Sequence, residues 1–398
     1  MTQAGPLEGI SVVDFSQILA GPFCTMLLAD MGAEVIKVER PNGGDDTRRF
    51  GPPFINGEGA AFLTLNRNKR SIVLDMKNEQ GVEIAKNLVA EADVLVQNFR
   101  PGVLERLGLG YEAVKAINPA MVYCTISGFG ITGPYKSKGG FDLVAQGMSG
   151  LMSITGFPGS PPAKVGVPIA DFNTGLYSAY AILSAYIHML KTGKGQHIDV
   201  SLVESAIAYT LYESATYFAT GEVSGPLGSA HRMIAPYQAF ATRDGHVNIG
   251  AANQANWERM CNAVGRDELL EDERFTTNAD RMAHIEELTE IMNQTFATRT
   301  TEDWVTTLEA ANVPCGPIYD IGQVYADPQV KAREMEVEID HPVAGRIKNI
   351  GVPVKLSDTP GSIRFAAPTL GQHTDEILGE LGFSADEIAK MHESGAVV

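Results

Sequence analysis

The sequence predicts an α/β protein: a large domain built on an open, parallel, Rossmann-like sheet, with a smaller α+β domain late in the chain. Three observations predict it. Short apolar strands alternate with amphipathic helical segments through the first half, the pattern of parallel βαβ units. A Gly/Ser/Pro-rich stretch from Thr220 to Ala230 then breaks that rhythm as a linker or lid. Beyond it come two strands around a turn and several consecutive helices. The expected divisions are 1–219 for the first part of the large domain, 220–325 for the small domain with its linker, and 326–398 for a return to the large domain.

Each element has its own signal. Ser11-Val-Val-Asp-Phe15 reads as a strand, Phe23 to Met31 as a helix ended by Gly32, and Glu34 to Glu39 as the next strand. Ser71 to Asp75 is a third strand. Gln80 to Ala92 is an amphipathic helix with Val82, Ile84, Leu88 and Val89 as its apolar positions. Asp93 to Gln97 is a strand, Val103 to Ile117 largely helix, and Met121 to Ile126 a strand. Leu176 to Lys191 has helical character, His197 to Ser201 is a strand, and a helix follows. In the second half, Tyr237 to Thr242 and Val247 to Gly250 are strands. Helices are expected near 254–264, 281–298 and 301–312. A short strand at Val354 to Leu356 and a last helix near 372–381 complete the chain.

The 398 residues, 44% of them hydrophobic and 20% charged, have ordinary globular composition. A net charge of −17 argues against nucleic acid or an anionic membrane as partner, but leaves room for a local basic patch. The four cysteines (Cys24, Cys124, Cys261, Cys315) are scattered and suggest neither zinc nor a disulfide framework. The first residues lack a basic and then apolar leader, and the apolar stretch near 176–190 is too short to span a bilayer. A soluble cytoplasmic protein is expected. There is no Walker A, HExxH or GxSxG sequence, so no metal or prosthetic group is expected.

Gly128-Phe-Gly-Ile-Thr-Gly133 has GxGxxG spacing after a strand. Pro134-Tyr-Lys-Ser-Lys138 follows instead of a helix, which makes it a poor dinucleotide fingerprint. Asp171, in Val165-Gly-Val-Pro-Ile-Ala-Asp-Phe-Asn-Thr-Gly175, sits where an apolar run gives way to a helix. It reads either as a helix cap or as an exposed carboxylate near the positive end of a helix dipole, able to act as a nucleophile. Arg40, Lys69, Arg70, Lys77, Asn98, Phe99 and Arg106 gather near predicted strand ends, where open α/β sheets bind ligands. Arg and Lys there suit phosphate, and Phe99 suits a flat ring. For each residue alone, a solvated rim is the competing explanation. His188 reads as a core residue, and His373 as a cap or orienting group. Asp142 is a second carboxylate before a possible helix, a cap or a site residue.

Several long segments, in order and nearly end to end, resemble the family III CoA-transferases. They are Leu19-Ala-Gly-Pro22, Gly32 to Pro41, Asn68-Lys-Arg-Ser71, Leu74-Asp-Met-Lys77, Gln97-Asn-Phe-Arg-Pro-Gly102, Gly128 to Pro134, Lys191-Thr-Gly-Lys-Gly195 and Leu370-Gly-Gln-His-Thr374. The resemblance implies that CoA thioesters are substrates and that Asp171 is the nucleophile. It also implies that Ala20, Arg40, Leu74 to Lys77, Asn98, Phe99 and Arg106 line the CoA site, with Asp142 grouped beside them. Two subunits threaded through each other as an interlocked homodimer are implied as well. The similar α-methylacyl-CoA racemases carry a His where this chain has Phe141, which argues against two-base proton exchange here. Formyl-CoA transferases carry a Gln where this chain has Leu19, and a glycine-run lid where it has only Gly225-Pro-Leu-Gly228. Gly44 to Arg48, Gly51 to Phe54 and Ala230 to Phe240 look closest to the succinyl-CoA:dicarboxylate branch. Arg48 and Arg232 are then candidates for gripping a distal carboxylate.

Overall fold

The computed structural model describes residues 5–398; residues 1–4, part of the stretch read above for a leader, lie outside them. The chain divides into two units. The larger holds residues up to 152, then 164–221 and 328–398; the smaller holds 153–163 and 222–327.

The larger unit is built on six parallel strands: β1 (Ser11–Asp14), β2 (Glu34–Glu39), β3 (Lys69–Val73), β4 (Val94–Gln97), β5 (Val122–Ser127) and β6 (His197–Ser201). Their order is β3-β2-β1-β4-β5-β6, that of doubly wound nucleotide-binding sheets. The strands read as near-continuous apolar runs because helices cover both faces; Val12, Val13, Val94, Leu95 and Val96 are buried. Helix α1 (Ala20–Asp30) connects β1 to β2 and α2 (Glu79–Glu91) connects β3 to β4. The Asn78 side chain caps α2 by accepting from the Gln80 N–H at 2.9 Å.

Several elements depart from expectation for identifiable reasons. Strand β3 starts two residues early, at Lys69, a fully buried lysine paired with Asp14. The helix expected over 103–117 is two, Val103–Arg106 and Tyr111–Ile117, parted at Gly108, which has φ +71°. Helix α3 (Asp142–Met148) precedes α4, which runs Ile169–Thr192 and so begins seven residues before the expected start. Gly175, just before the expected start, lies inside α4, and a Cβ there would stand 2.8 Å from the Ala20 carbonyl oxygen and from Phe23 Cδ1. Glycine lets α4 approach α1 closely. The strand expected at 354–356 is absent; instead Glu336–His341 and Gly345–Ile350 form a hairpin, and an extra helix, Ala385–Glu393, follows that at Thr374–Glu380.

The C-terminal segment is tied back to the sheet. Arg364 donates to the Ala29 carbonyl in the last turn of α1 at 3.0 Å and to the Ala33 carbonyl just before β2 at 2.9 Å. The Asp75 N–H donates to the Ala396 carbonyl at 2.9 Å.

The smaller unit has a three-stranded antiparallel sheet, with Cys315–Pro317 and Tyr237–Ala241 flanking His246–Gly250, packed with helices such as Gln254–Val264 and Ile285–Phe296. Phe240, Trp257, Phe275, Phe296 and Trp304 fill its core. Residues 153–163 join it: the Gly228 N–H donates to the Gly156 carbonyl at 2.8 Å, and Phe157 packs where a Cβ on Gly228 would sit.

Candidate active site

Strand order reverses between β1 and β4, and open α/β sheets bind ligands in the crevice beyond the carboxyl ends of the strands at such a point. A pocket of about 320 Å³ lies there. Residues 17–20 after β1, 98–101 after β4 and 126–129 at the end of β5 line it, with 136, 138–141, Asp46, Asp171 and Leu202.

Asp171 is in the first turn of α4, whose N-cap, Pro168, supplies no capping side chain. That task falls to Asp142, which opens α3. Its Oδ1 accepts from the Ala170 N–H at 2.9 Å and weakly from the Asp171 N–H at 3.5 Å; its Oδ2 accepts from Gln146 Nε2 at 2.7 Å. The capping role considered for Asp171 is therefore filled by its neighbour. The Asp171 carboxylate makes no hydrogen bond or ion pair among the described residues, and it faces the pocket. Burial, with the Asp142 charge added, pushes its pKa up to about 7. An unpartnered carboxylate that half ionises near neutrality in a cleft is the profile of a reacting group.

Beside Asp171 runs the turn after β1, of which Gln17 to Ala20 line the pocket. Ile18 has φ +71°, a rare conformation for a β-branched residue. Asn98 clamps the preceding residue from both sides: its Oδ1 accepts from the Gln17 N–H at 2.8 Å and its Nδ2 donates to the Gln17 carbonyl at 2.7 Å. The close approach at Gly175, and an edge-on contact between Phe23 and Phe172 with centroids 4.9 Å apart, hold this turn beside α4.

The sequence-derived residues divide sharply. Ala20, Asn98, Phe99 and Asp171 line the pocket. Arg40 sits at its edge, bonded to pocket-lining Asp46. Lys77 and Arg106 are exposed and outside the lining, and Leu74, also outside it, is fully buried in the core. Arg48 is not presented to a substrate. It is buried, binds Glu39 at 2.6 and 2.8 Å and the Pro368 carbonyl at 3.1 Å, and stacks 3.7 Å over Phe62. Arg232 lies in the smaller unit and donates to the Gly225 carbonyl at 2.7 Å.

Sequence reasoning missed Arg100, Lys136 and Lys138, three exposed cations on the pocket lining of a strongly acidic chain. The signal was present: Arg100 lies inside the segment 97–102, and the two lysines follow the GxGxxG run. The glycines of that run shape a loop, not a dinucleotide turn. Gly130 and Gly133 have positive φ, and a Cβ on Gly128 would stand 2.7 Å from the Gly140 Cα. Phe141 also lines the pocket, so no titratable side chain stands at that position. No helix is long and apolar enough to cross a membrane among the described residues.

Comparison with known proteins places the chain among relatives. The model of CoA-transferase family III matches residues 7–374. The chain is 42% identical to the human succinyl-CoA:glutarate CoA-transferase over 398 residues, covering 100% of this chain and 91% of that protein. It is 42% identical to succinate–glutarate CoA-transferase of Agrobacterium fabrum, covering 94% and 96%. The crystal structure of a CAIB/BAIF family protein from Brucella suis superposes with a TM-score of 0.86 at 42% identity, covering 95% of this chain and 100% of that one.

Proposed function

The chain belongs to CoA-transferase family III and is an enzyme that transfers CoA. On that premise we propose that it moves CoA from succinyl-CoA or a related dicarboxylyl-CoA to a free dicarboxylate such as glutarate, with Asp171 as the covalent nucleophile. The observation that carries this is the unpartnered Asp171 carboxylate facing a pocket edged by cations. The substrate class is supported by the full-length likeness to two succinyl-CoA:glutarate-type enzymes.

The ionised Asp171 carboxylate attacks the thioester carbonyl; a C–O bond forms, the C–S bond breaks, and CoA thiolate leaves a mixed anhydride. The thiolate attacks the aspartyl carbonyl, giving an aspartyl-CoA thioester and the freed donor acid. The acceptor carboxylate displaces the thiolate to form a second anhydride. The thiolate then attacks the acceptor carbonyl, releasing the new thioester and regenerating the Asp171 carboxylate. No proton or electron is gained or lost. The covalent route divides one hard exchange into easier steps, and exclusion of water protects the anhydrides. Arg40, Arg100, Lys136 and Lys138 supply positive charge for the CoA phosphates, and Phe99 a surface for the adenine. With Arg48 committed to Glu39, Arg232 is the candidate grip for the distal carboxylate. Gly225 to Gly228 is the candidate lid.

The reading includes the three-part domain division 1–219, 220–325 and 326–398, and a homodimer. Leu176, Tyr180, Leu183, Ile187 and Leu190 form an exposed apolar stripe at helical spacing along α4, a face suited to burial against a second copy.

Incubation with succinyl-CoA followed by hydroxylamine should give a hydroxamate at Asp171. A wild-type protein that turns over succinyl-CoA with glutarate, yet never yields that adduct, sinks the covalent mechanism. Acetate or butyrate accepting CoA as well as glutarate sinks the dicarboxylate reading, and Arg232→Met should narrow the preference.

A further inference from the structure

The turn that walls the pocket beside Asp171 rests on a layer of buried charge. Lys37 and Asp45 are both fully buried and meet at 2.9 Å. Lys37 Nζ also donates to the Ser16 carbonyl at 2.9 Å. Asp45 Oδ1 accepts from the Ile18 N–H at 3.2 Å, from the Thr47 N–H at 2.9 Å and from the Thr47 hydroxyl at 2.8 Å. Beneath them Asp14 accepts from the Ser16 N–H at 2.9 Å and meets Lys69 at 3.2 Å, while Lys69 donates to the Pro22 carbonyl at 2.8 Å. Burial raises the Asp45 pKa, but Lys37 and the Thr47 N–H more than offset it and hold the carboxyl below its usual range. Burial lowers the Lys37 pKa, but Asp45, Asp14 and Glu39 more than offset it, so each partner favours the charged form of the other.

Such a layer is expensive in a fold that needs only stability. Buried ion pairs lose much of their Coulombic attraction to desolvation, and apolar residues of equal volume often do as well. What the layer accomplishes here is local. It holds backbone groups on both sides of Ile18 while that residue occupies a left-handed conformation that a free isoleucine leaves. Asp46, next in sequence, faces the pocket and binds Arg40. One short turn thus grips the reaction wall with Asp45 and touches the rim with Asp46.

We propose that Asp45, with Lys37 as its counter-ion, is a positioning residue for CoA transfer: it fixes Ile18 in its left-handed conformation so that the Gln17–Ala20 wall holds the reacting carbonyl in line with the Asp171 carboxylate. A misplacement of about 1 Å costs on the order of a hundredfold in rate, so the role is written into turnover and not into CoA affinity. The proposal rests on the pocket beside Asp171 being the reaction chamber.

A double-mutant cycle tests it. Asp45→Asn keeps the shape and removes the charge; kcat should fall roughly 10- to 100-fold with the KM for succinyl-CoA changed less than about threefold. Glycine adopts positive φ without strain, so Ile18→Gly should lose only a few-fold in kcat. Ile18→Gly combined with Asp45→Asn should then stay near the Ile18→Gly value, well above the product of the two losses. A merely structural Asp45 would give multiplicative losses, or an unchanged kcat with lower thermal stability, and either result overturns the proposal. If Asp45→Asn does not fold, Lys37→Met enters the same cycle with the same criterion. Asp171→Asn is assayed in parallel. Activity retained there removes the chamber itself, whereas a dead Asp171→Asn with multiplicative losses at 18 and 45 overturns the positioning role alone.

Discussion

The two sides of the pocket are built on opposite principles. The inner wall, Gln17 to Ala20, is fixed from below by buried charges and from the side by Asn98, with its backbone held in a conformation its sequence disfavours. The outer rim, Arg100 and residues 132–139, is exposed; Lys138 stacks 3.6 Å over Tyr135 and its glycines set only the path of the loop. A wall needs one geometry because bonds form and break against it. A rim that gathers a flexible polyanion needs charge more than geometry. Changes to the wall and to Asp171 should therefore appear in kcat, and changes to the rim in KM.

The largest effect belongs to Asp171. Asp171→Asn should lower turnover at least about a thousandfold, as loss of a nucleophile does. In the native enzyme the rate should rise with pH to a plateau above about 7, because only the ionised carboxylate attacks and burial holds its proton that long. Steady-state assays between pH 5 and 9 check both. A flat profile at saturating substrates breaks the contrast, since the reactive group would then lie elsewhere.

Gly175→Ala comes next. Its Cβ would meet the Ala20 carbonyl oxygen and Phe23 at 2.8 Å, which forces α1 and α4 apart. Overpacking of this kind costs about 1–3 kcal/mol. A chemical-denaturation midpoint should fall accordingly, and kcat should drop with it because the displaced residue, Ala20, belongs to the wall. Loss of stability with an unchanged kcat in the remaining folded enzyme means the wall tolerates movement.

A smaller effect runs in the opposite direction. Folded Asp171 keeps its proton up to about pH 7, while in the unfolded chain it releases it near pH 4. Between those values the folded state binds the extra proton, so Asp171 lowers stability increasingly as pH rises through the window. Asp171→Asn should thus be the more stable protein at pH 8, on the order of 1–2 kcal/mol, with the gain vanishing towards pH 4. Thermal melts at the two pH values decide. Equal stability at both means the carboxylate is not held against a charge penalty.

The same contrast explains what the sequence disclosed. The parallel sheet was legible because buried strands are apolar on both faces and alternate with amphipathic helices. Asp171 was legible because it ends an apolar run before a helix. The wall's supports were not. Lys37 and Asp45 drew no separate notice, and Lys69 was grouped with cations near strand ends, because lysine and aspartate are rarely buried. Only the fold brings Asp14, thirty-one residues from Asp45, into one layer with them. Asn98 drew notice as a polar residue near a strand end, and Arg48 as a candidate grip for a distal carboxylate. Periodicity cannot tell a side chain that holds backbone or carboxylate inside the protein from one that reaches a ligand. The start of α4 was hidden by Gly175, where the missing side chain answers to a neighbouring helix and not to a turn.

The smallest expected effect is at the rim. Each of Arg100, Lys136 and Lys138 is exposed on the pocket lining. An exposed charge pair contributes at most about 1 kcal/mol, screened by salt. Replacing any one with Ala should raise the KM for succinyl-CoA only about two- to fivefold and leave kcat unchanged, as expected when binding is lost equally from ground and transition states. The triple replacement should have a further signature. Native KM should climb as ionic strength rises from 0.02 to ~0.3 M, since the Debye length then shrinks to below about 10 Å, and the triple variant should have lost most of that slope. The acceptor KM should stay flat in both, because a dicarboxylate that reaches the chamber wall carries less charge past the rim than CoA does. A triple variant with native salt dependence would move the phosphate contacts to Arg40, Lys77 or Arg106. A loss confined to kcat would mean that the rim closes on the reaction, and that wall and rim are one device.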